Sequence, residues 1–373
     1  MNIPLSAPDI TEAEIEAVAA VLRTPRLSLG PRLEEFQQAM AQYIGAPHAV
    51  AVSSGTAGLH LCIRALNIGE GDEVIVPSFT FIAAANAIRY ERATPVFVDI
   101  DAVTLNLDPA KIEAAITPRT RAILAVHTFG VPADIEAILA IAERHKLLVI
   151  EDACEAIGAE YQGRRVGTFG DAAVFAFYPN KQITTGEGGM IVTRSQALAR
   201  RMRALRNQGR CETDDWLQHS EVGYNYRLSE INCALGIGQL RRIESILAMR
   251  ADVARGYHDR LQGEPLILPP LDIPDARVSW FVFVVRLRSE FDQTDRDAMV
   301  QSLAAQGIGC ARYFAPIHLQ PAYAAWRNAS LPVTESEAAR TLALPFFNAL
   351  TEEQLDQVCE AVSRELVAVQ RRV

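Results

Sequence analysis

Seven short, continuous apolar runs constrain this chain more than any other feature: HAVAVSS (48–54), EVIVP (73–77), PVFVDI (95–100), RAILAVH (121–127), LLVIED (147–152), AAVFAF (172–177) and GMIVT (189–193). Helically spaced stretches separate the first five: TAGLHLCIRAL, FIAAANAIRYE, PAKIEAAI and ADIEAILAIAERHK. Runs that are apolar throughout, not alternating, predict strands covered on both faces. Strand, helix, strand at this rhythm predicts an α/β fold with a mostly parallel seven-stranded sheet and right-handed crossovers. After about residue 195 the rhythm changes. SQALARRMRALRNQG reads as a helix, and LSEINCALGIGQLRRIESILAMRADVARGYHDRLQG as one long helix or two. VSWFVFVVRL (278–287) reads as a strand, DRDAMVQSLAAQG (295–307) as a helix, and LTEEQLDQVCEAVSRELVAVQRRV as a terminal helix capped by Thr351. With 373 residues, 49% of them hydrophobic, the chain holds core for more than one domain. The expected division is a helical arm (1–45), a large domain (46–249) and a smaller α+β domain (250–373).

Several function classes are disfavoured. The net charge is −9, with acidic residues spread along the chain and no basic stripe for nucleic acid. No apolar run approaches the roughly 20 residues of a membrane span, and MNIPLSAPDITEAEIEAV is not a signal segment. The six cysteines and seven histidines show no CxxC or HExxH spacing, so no metal site is expected. The cysteines read as reduced thiols of a cytoplasmic protein.

Ligands of an open parallel sheet bind beyond the carboxyl ends of its strands, and four segments fall at such ends. SSGTAGLHL follows the first strand and opens a helix. Its small residues let backbone N–H groups approach an anion, the helix start adds partial positive charge, and Thr56 offers a hydroxyl. Gly55 and Thr56 therefore read as a phosphate cradle or as a plain capped turn. In PSFTFIAAANAI, Phe81 is a core aromatic or a ring stacked on a planar ligand. In VIEDACEAIGA, Asp152 closes the most apolar strand. A carboxylate there is costly without a cationic partner, the alternative being an N-cap of the next turn. In FAFYPNKQITTGEGGMIVT (175–193), Lys181 stands between an aromatic strand and a turn whose glycines break helix and strand alike. It is either a solvated loop charge or an amine held for chemistry.

Together these parts fit pyridoxal 5′-phosphate (PLP). That cofactor needs a lysine amine for a Schiff base, a carboxylate to keep its ring nitrogen protonated, a phosphate cradle and an aromatic ring on one face. The ordered blocks IPLSAPDITEAEIEAV, SSGTAGLHL, VPSFTFIAAANAI, PVFVDID, IEDACEAIGAEYQGRRVGTFGD, NKQITTGEGGMIVT, GYNYRLSEINCALGIGQL, PIHLQPAY and LALPFFNALTEEQ cover nearly the whole chain. In them the sequence resembles the DegT/DnrJ/EryC1/StrS family, sugar aminotransferases of the PLP-dependent fold type I. The resemblance implies that Lys181 is the Schiff-base lysine and proton shuttle. It also implies that Asp152 pairs the pyridinium nitrogen, Gly55 and Thr56 hold the phosphate, and Phe81 stacks on the ring. Glu155 falls at a position, often Gln in the family, near the cofactor's 3′-oxygen. Asn225 matches an asparagine that reaches the phosphate of a neighbouring subunit, which implies a homodimer with shared active sites. Tyr313 and His318 match a substrate-facing block, and Arg227 and Arg312 are candidates for holding substrate anions, the alternative for both being an ordinary surface or structural role. The implied reaction moves an amino group from L-glutamate to a keto group of a nucleotide-linked sugar. A cyclitol ketone, or PLP binding without turnover in a regulatory protein, are the alternatives. Lys181 argues against the branch with histidine there, which deoxygenates its substrate. One departure stands out. Five residues before the lysine the family often has a serine that meets the phosphate, and here that position is Ala176.

Overall fold

The computed structural model describes residues 2–211, 215, 217–327 and 329–370. Seven strands form one sheet in the order β1 (His48–Val52), β9 (Gly189–Thr193), β8 (Ala172–Ala176), β5 (Leu148–Asp152), β4 (Thr120–Val126), β2 (Glu73–Pro77), β3 (Thr94–Val98). Only β9 runs antiparallel to its neighbours. Six carboxyl ends therefore share one edge, and β9 starts from that same edge. The loop 177–188 between β8 and β9, which carries Lys181, has both ends there.

Alternate residues explain the continuous apolar runs. Val50, Val52, Val74, Val76, Leu124, Ile150 and Val174 face a core with helices α3 (Gly55–Ala65), α4 (Ala83–Tyr90) and α7 (Gln196–Arg206). On the other face, Ala49, Ala51, Phe175 and Met190 meet α2 (Pro31–Ile44) and α8 (Glu230–Arg241), while Ile75, Ile123 and Val149 meet α6 (Ile135–His145). A short turn, α5 (Pro109–Ile112), lies between β3 and β4. A small ribbon, β6 (Glu160–Tyr161), β7 (Arg164–Arg165) and β11 (Ala276–Arg277), lies apart from the main sheet.

The remaining strands, β10 (Leu266–Ile267), β12 (Phe283–Leu287) and β13 (Thr341–Leu344), form an antiparallel sheet. It packs with α10 (Gln293–Ala305) and α12 (Glu352–Gln370) around a second core, while Ala338 of α11 (Pro332–Arg340) clusters with Val284 and Ala343. Thr351 caps α12: its Oγ1 accepts the Gln354 N–H at 3.2 Å, and Gln354 Oε1 accepts the Thr351 N–H at 3.1 Å. Among the described residues no helix is long and apolar enough to cross a membrane.

Four details go beyond the sequence reading. The stretch 230–261 is two helices, with α9 (Ile243–Leu261) following α8 after a break at Arg242, whose guanidinium binds Asp9 and Glu14. The first half of α9 packs on the core under α2 and α8, and its second half on the core of the small sheet. The expected boundary near residue 250 thus falls inside a helix, with no linker. In 278–287 only Phe283–Leu287 is strand. Arg250 takes the carbonyls of Trp280 and Phe281 (2.6 and 2.7 Å), so the chain leaves the ladder there. Within 1–45, α1 (Glu12–Leu22) and α2 pack on α8. The first residues instead pair with the small sheet's side, where Ile3 bridges Ile308 and Phe346 donates to the Leu5 carbonyl at 2.8 Å.

Candidate active site

A cleft of about 650 Å³ opens over the shared carboxyl edge. Gly55, Thr56, Phe81, Asp152, Glu155, Lys181 and Tyr313 all line it. Stretches 126 residues apart in sequence, from 55 to 181, meet there because β1, β5 and β8 all end at that edge.

The cradle begins where β1 becomes α3. Ser54 caps the helix, its Oγ accepting the Ala57 N–H at 3.1 Å. Helix geometry leaves the Gly55 and Thr56 N–H groups without intrahelical partners. Gly55 is required by close approach: a Cβ there would lie 2.7 Å from the Ala176 Cβ and 3.0 Å from Cys154 Sγ. Phe81 is 61% exposed at the cleft, whereas Phe79 is fully buried. The core reading therefore belongs to Phe79, and Phe81 offers its ring to the cleft.

Asp152 ends the central strand β5 between Val126 and Val174 and is 7% exposed. Burial pushes its carboxyl up, offset only in part by the Cys154 contacts and the charge of Lys181. Its neighbour Glu151 shows the contrast. Glu151 accepts the N–H groups of Gly167, Phe169 and Gly170 at 2.7, 2.9 and 2.7 Å and faces His127 Nε2 at 3.2 Å. His127 Nδ1 accepts the Ala133 N–H at 3.0 Å, so its ring hydrogen sits on Nε2 and points to Glu151. Burial would raise the Glu151 carboxyl, but these hydrogen bonds outweigh it and hold it below the usual range. Glu151 is saturated. Asp152, with the Cys154 N–H at 3.1 Å, keeps acceptor capacity for a cation in the cleft.

Lys181 follows a turn in which its N–H donates to the Tyr178 carbonyl at 2.9 Å. The side chain is 13% exposed, so it is no solvated loop charge. Its Nζ lies 3.5 Å from Glu155 Oε1 and 3.9 Å from the Phe281 ring centroid. Glu155 Oε2 accepts the Phe129 N–H at 2.9 Å, and burial raises this carboxyl despite Lys181 and that N–H. Gly130, at φ +85°, lets the same loop meet Ser279: a Cβ there would clash with the Ser279 carbonyl. That contact seats the 279–281 segment bearing Phe281. In the glycine turn, Gly189 is the first residue of β9, so only Gly186 to Gly188 lie outside regular structure.

Tyr313 is half-buried in a ladder of rings, 6.5 Å from Phe281 and 5.1 Å from Phe314. Arg312 also lines the cleft and binds Asp297 at 3.0 Å. Three expected residues do not line the cleft of this chain, and for Asn225 the expected place was a neighbouring subunit's site. His318, read as substrate-facing, is fully buried between Ser78 and Glu335. Ser78 Oγ accepts the His318 N–H (3.1 Å) and meets its Nδ1 at 2.7 Å, so the imidazole pins its own segment to the end of β2. Arg227 donates to Asn207 and Gln208 (2.9 and 2.6 Å), outside the cleft. Asn225 is exposed on its loop and does not line the cleft of its own chain. Sequence reasoning missed Phe281, Phe314 and Asn180. Asn180 directly precedes the lysine, and its Oδ1 is buried without a partner at the cleft. The two phenylalanines carried no sequence signal, because chain reversals far from Lys181 bring them in.

This donor set fits PLP. It offers two free N–H groups and a hydroxyl on a helix start, an exposed ring, a buried carboxylate with spare capacity, and a shielded amine. Comparisons with known proteins agree. GDP-perosamine synthase from Caulobacter vibrioides is 44% identical over 369 residues, covering 98% of this chain and 99% of that protein. The spore coat polysaccharide biosynthesis protein SpsC of Bacillus subtilis is 38% identical, covering 98% and 97%. The structure of DesV from S. venezuelae superposes with a TM-score of 0.90 at 40% identity over 98% of each chain. The model of the DegT/DnrJ/EryC1/StrS aminotransferase family matches residues 8–363. The chain belongs to that family and is a PLP-dependent aminotransferase.

Proposed function

We propose that this enzyme transfers an amino group from L-glutamate to the keto carbon of a nucleotide-linked sugar, giving a nucleotide-linked amino sugar. The observation that carries the chemistry is Lys181 and Asp152 converging on one shielded cleft. The full-length similarity to a synthase of GDP-perosamine supports the substrate class. Bound in the cleft, the cofactor supplies an electron sink for the donor's α-carbon. The protein does the rest. Gly55, Thr56 and the start of α3 hold the phosphate. Asp152 holds a proton on the ring nitrogen. Phe81, exposed at the cleft, would stack on the ring. Lys181 Nζ would carry the cofactor and would move a proton at the donor's α-carbon. Tyr313 and Arg312 line the side open to substrate.

The exposed Asn225 supports a homodimer in which this side chain completes the partner's site. The six free cysteines fit a cytoplasmic setting. The test is an absorbance spectrum with L-glutamate alone, then with nucleotide-linked keto-sugars. We expect glutamate to convert the bound cofactor to its amino form and a keto-sugar to restore it, with an amino sugar as product. A spectrum that ignores glutamate overturns the donor, and amination of a free cyclitol ketone in preference overturns the substrate class.

Ala176 yields a further expectation. It lines the cleft opposite Gly55, where a hydroxyl would face the cradle. Ala176→Ser should tighten PLP binding about 3- to 10-fold, the yield of one added hydrogen bond. Fluorescence titration of the cofactor-free protein measures it. An unchanged Kd would mean that another group, such as the cleft-lining Tyr178, already supplies this contact.

A further inference from the structure

Glu155 stands where the resemblance often has a neutral amide, and the structure shows what its charge meets. The Lys181 ammonium has two stabilising neighbours, Glu155 Oε1 at 3.5 Å and the Phe281 ring at 3.9 Å. The carboxylate is anchored from its far side, because Oε2 is fixed by the Phe129 N–H at 2.9 Å. Oε1 is therefore left to the lysine. Both side chains are largely shielded, at 13% and 9% exposed, and charge pairs interact more strongly there than in water. The other titratable groups facing this pair are Asp152 and Cys154 at the end of β5, Tyr178 and Glu187 from the 177–188 loop, and Arg312 and Tyr313 from the small-sheet side. Arg312 is held by Asp297. Of these groups, Glu155 is the one in an ion pair with Lys181.

We propose that Glu155 is the counter-ion of Lys181, the carboxylate against which its ammonium charge rests whenever that amine is not bonded to the cofactor. In the step where Lys181 accepts a proton, the new N–H bond uses the nitrogen lone pair, and the positive charge forms against Glu155 Oε1. A glutamine at this position keeps the acceptor for Phe129 but removes the negative charge, so the same lysine becomes a weaker base. This rests on the reading of Lys181 as the cofactor-bearing amine, and its test does not depend on turnover.

The experiment is trace acetylation of Lys181 in the full-length, cofactor-free protein across pH 6–11, read by peptide mass spectrometry, for wild type and Glu155→Gln. We expect the reactivity midpoint to fall by at least about one pH unit in the variant, so that the free-amine fraction at neutral pH rises roughly tenfold. Glu155→Asp, which restores the charge, should return the midpoint most of the way. A midpoint unchanged in Glu155→Gln overturns the proposal and leaves Glu155 as the partner of Phe129 alone. If the glutamine variant fails to fold, Glu155→Ala takes its place, and a midpoint equal to that of wild type overturns the proposal equally. Borohydride trapping of PLP on the Lys181 peptide is the separate check on the underlying reading. If that fails while the midpoint shifts, the attachment site is wrong and the ion pair stands.

Discussion

Lys181→Ala is expected to lower turnover by at least about 10³-fold and to abolish the borohydride-stable link between protein and PLP. Two functions are lost together, the amine that carries the cofactor and the base that moves the proton. No other described lysine lines the cleft. The structure also says how to separate chemistry from stability. Removing Lys181 strands Glu155, which is 9% exposed and whose salt-bridge partner is that lysine. Lys181→Arg keeps a cation beside Glu155 but cannot serve as the nucleophile. It should be as inactive as the alanine variant while melting within about 2 °C of wild type. Turnover by either variant, measured as conversion of glutamate to 2-oxoglutarate, would remove Lys181 from its assigned role.

Asp152→Asn should lower kcat at least about 100-fold, since an amide cannot keep a proton on the ring nitrogen. In the cofactor-free protein the same change should raise Tm by about 2–4 °C at pH 7–8. The sign follows from burial, which raises the Asp152 carboxyl above its value in the unfolded chain. The native state then binds this proton more tightly than the unfolded state. The stabilisation is complete below the usual value near 4 and is lost as pH rises through the native value. At neutral pH the bare carboxylate is therefore a net cost, which asparagine removes. The gain should vanish below about pH 4 and reverse once PLP saturates the wild type, because binding stabilises the native state by mass action. A cofactor-free Tm that falls in the variant at pH 8 would show that Asp152 is paired within the protein.

Much of this was legible because charges stood out against apolar runs. Asp152 ends LLVIED and Lys181 ends an aromatic stretch, and each sits at a strand end where the sheet puts its ligands. The strands themselves were legible because both faces are covered, so no alternation interrupts them. What remained hidden depends on contacts distant in sequence. Arg250 captures two carbonyls near residue 280, ending a strand that VSWFVFVVRL alone does not break. His318 looks like any polar residue in PIHLQPAY until Ser78, 240 positions earlier, closes on its ring. Phe79 and Phe81 differ only in which side of a turn they take, and neither hydrophobicity nor spacing separates them. The break between α8 and α9 contains no proline or glycine. It is marked by Arg242, held by Asp9 and Glu14 from the other end of the chain.

The sheet order has a consequence for the growing chain. Strand β1 lies at the edge, with β9 as its neighbour in the sheet. It is finished at Val52, while its partner starts at Gly189. At ordinary rates of synthesis, β1 waits on the order of ten seconds on the ribosome for the strand it pairs with. Helix α3, with Gly55 and Thr56 at its start, hangs from the end of that waiting strand. The phosphate cradle is therefore among the last parts of the large core to take its place, and PLP capture by nascent chains would report that β1 has docked.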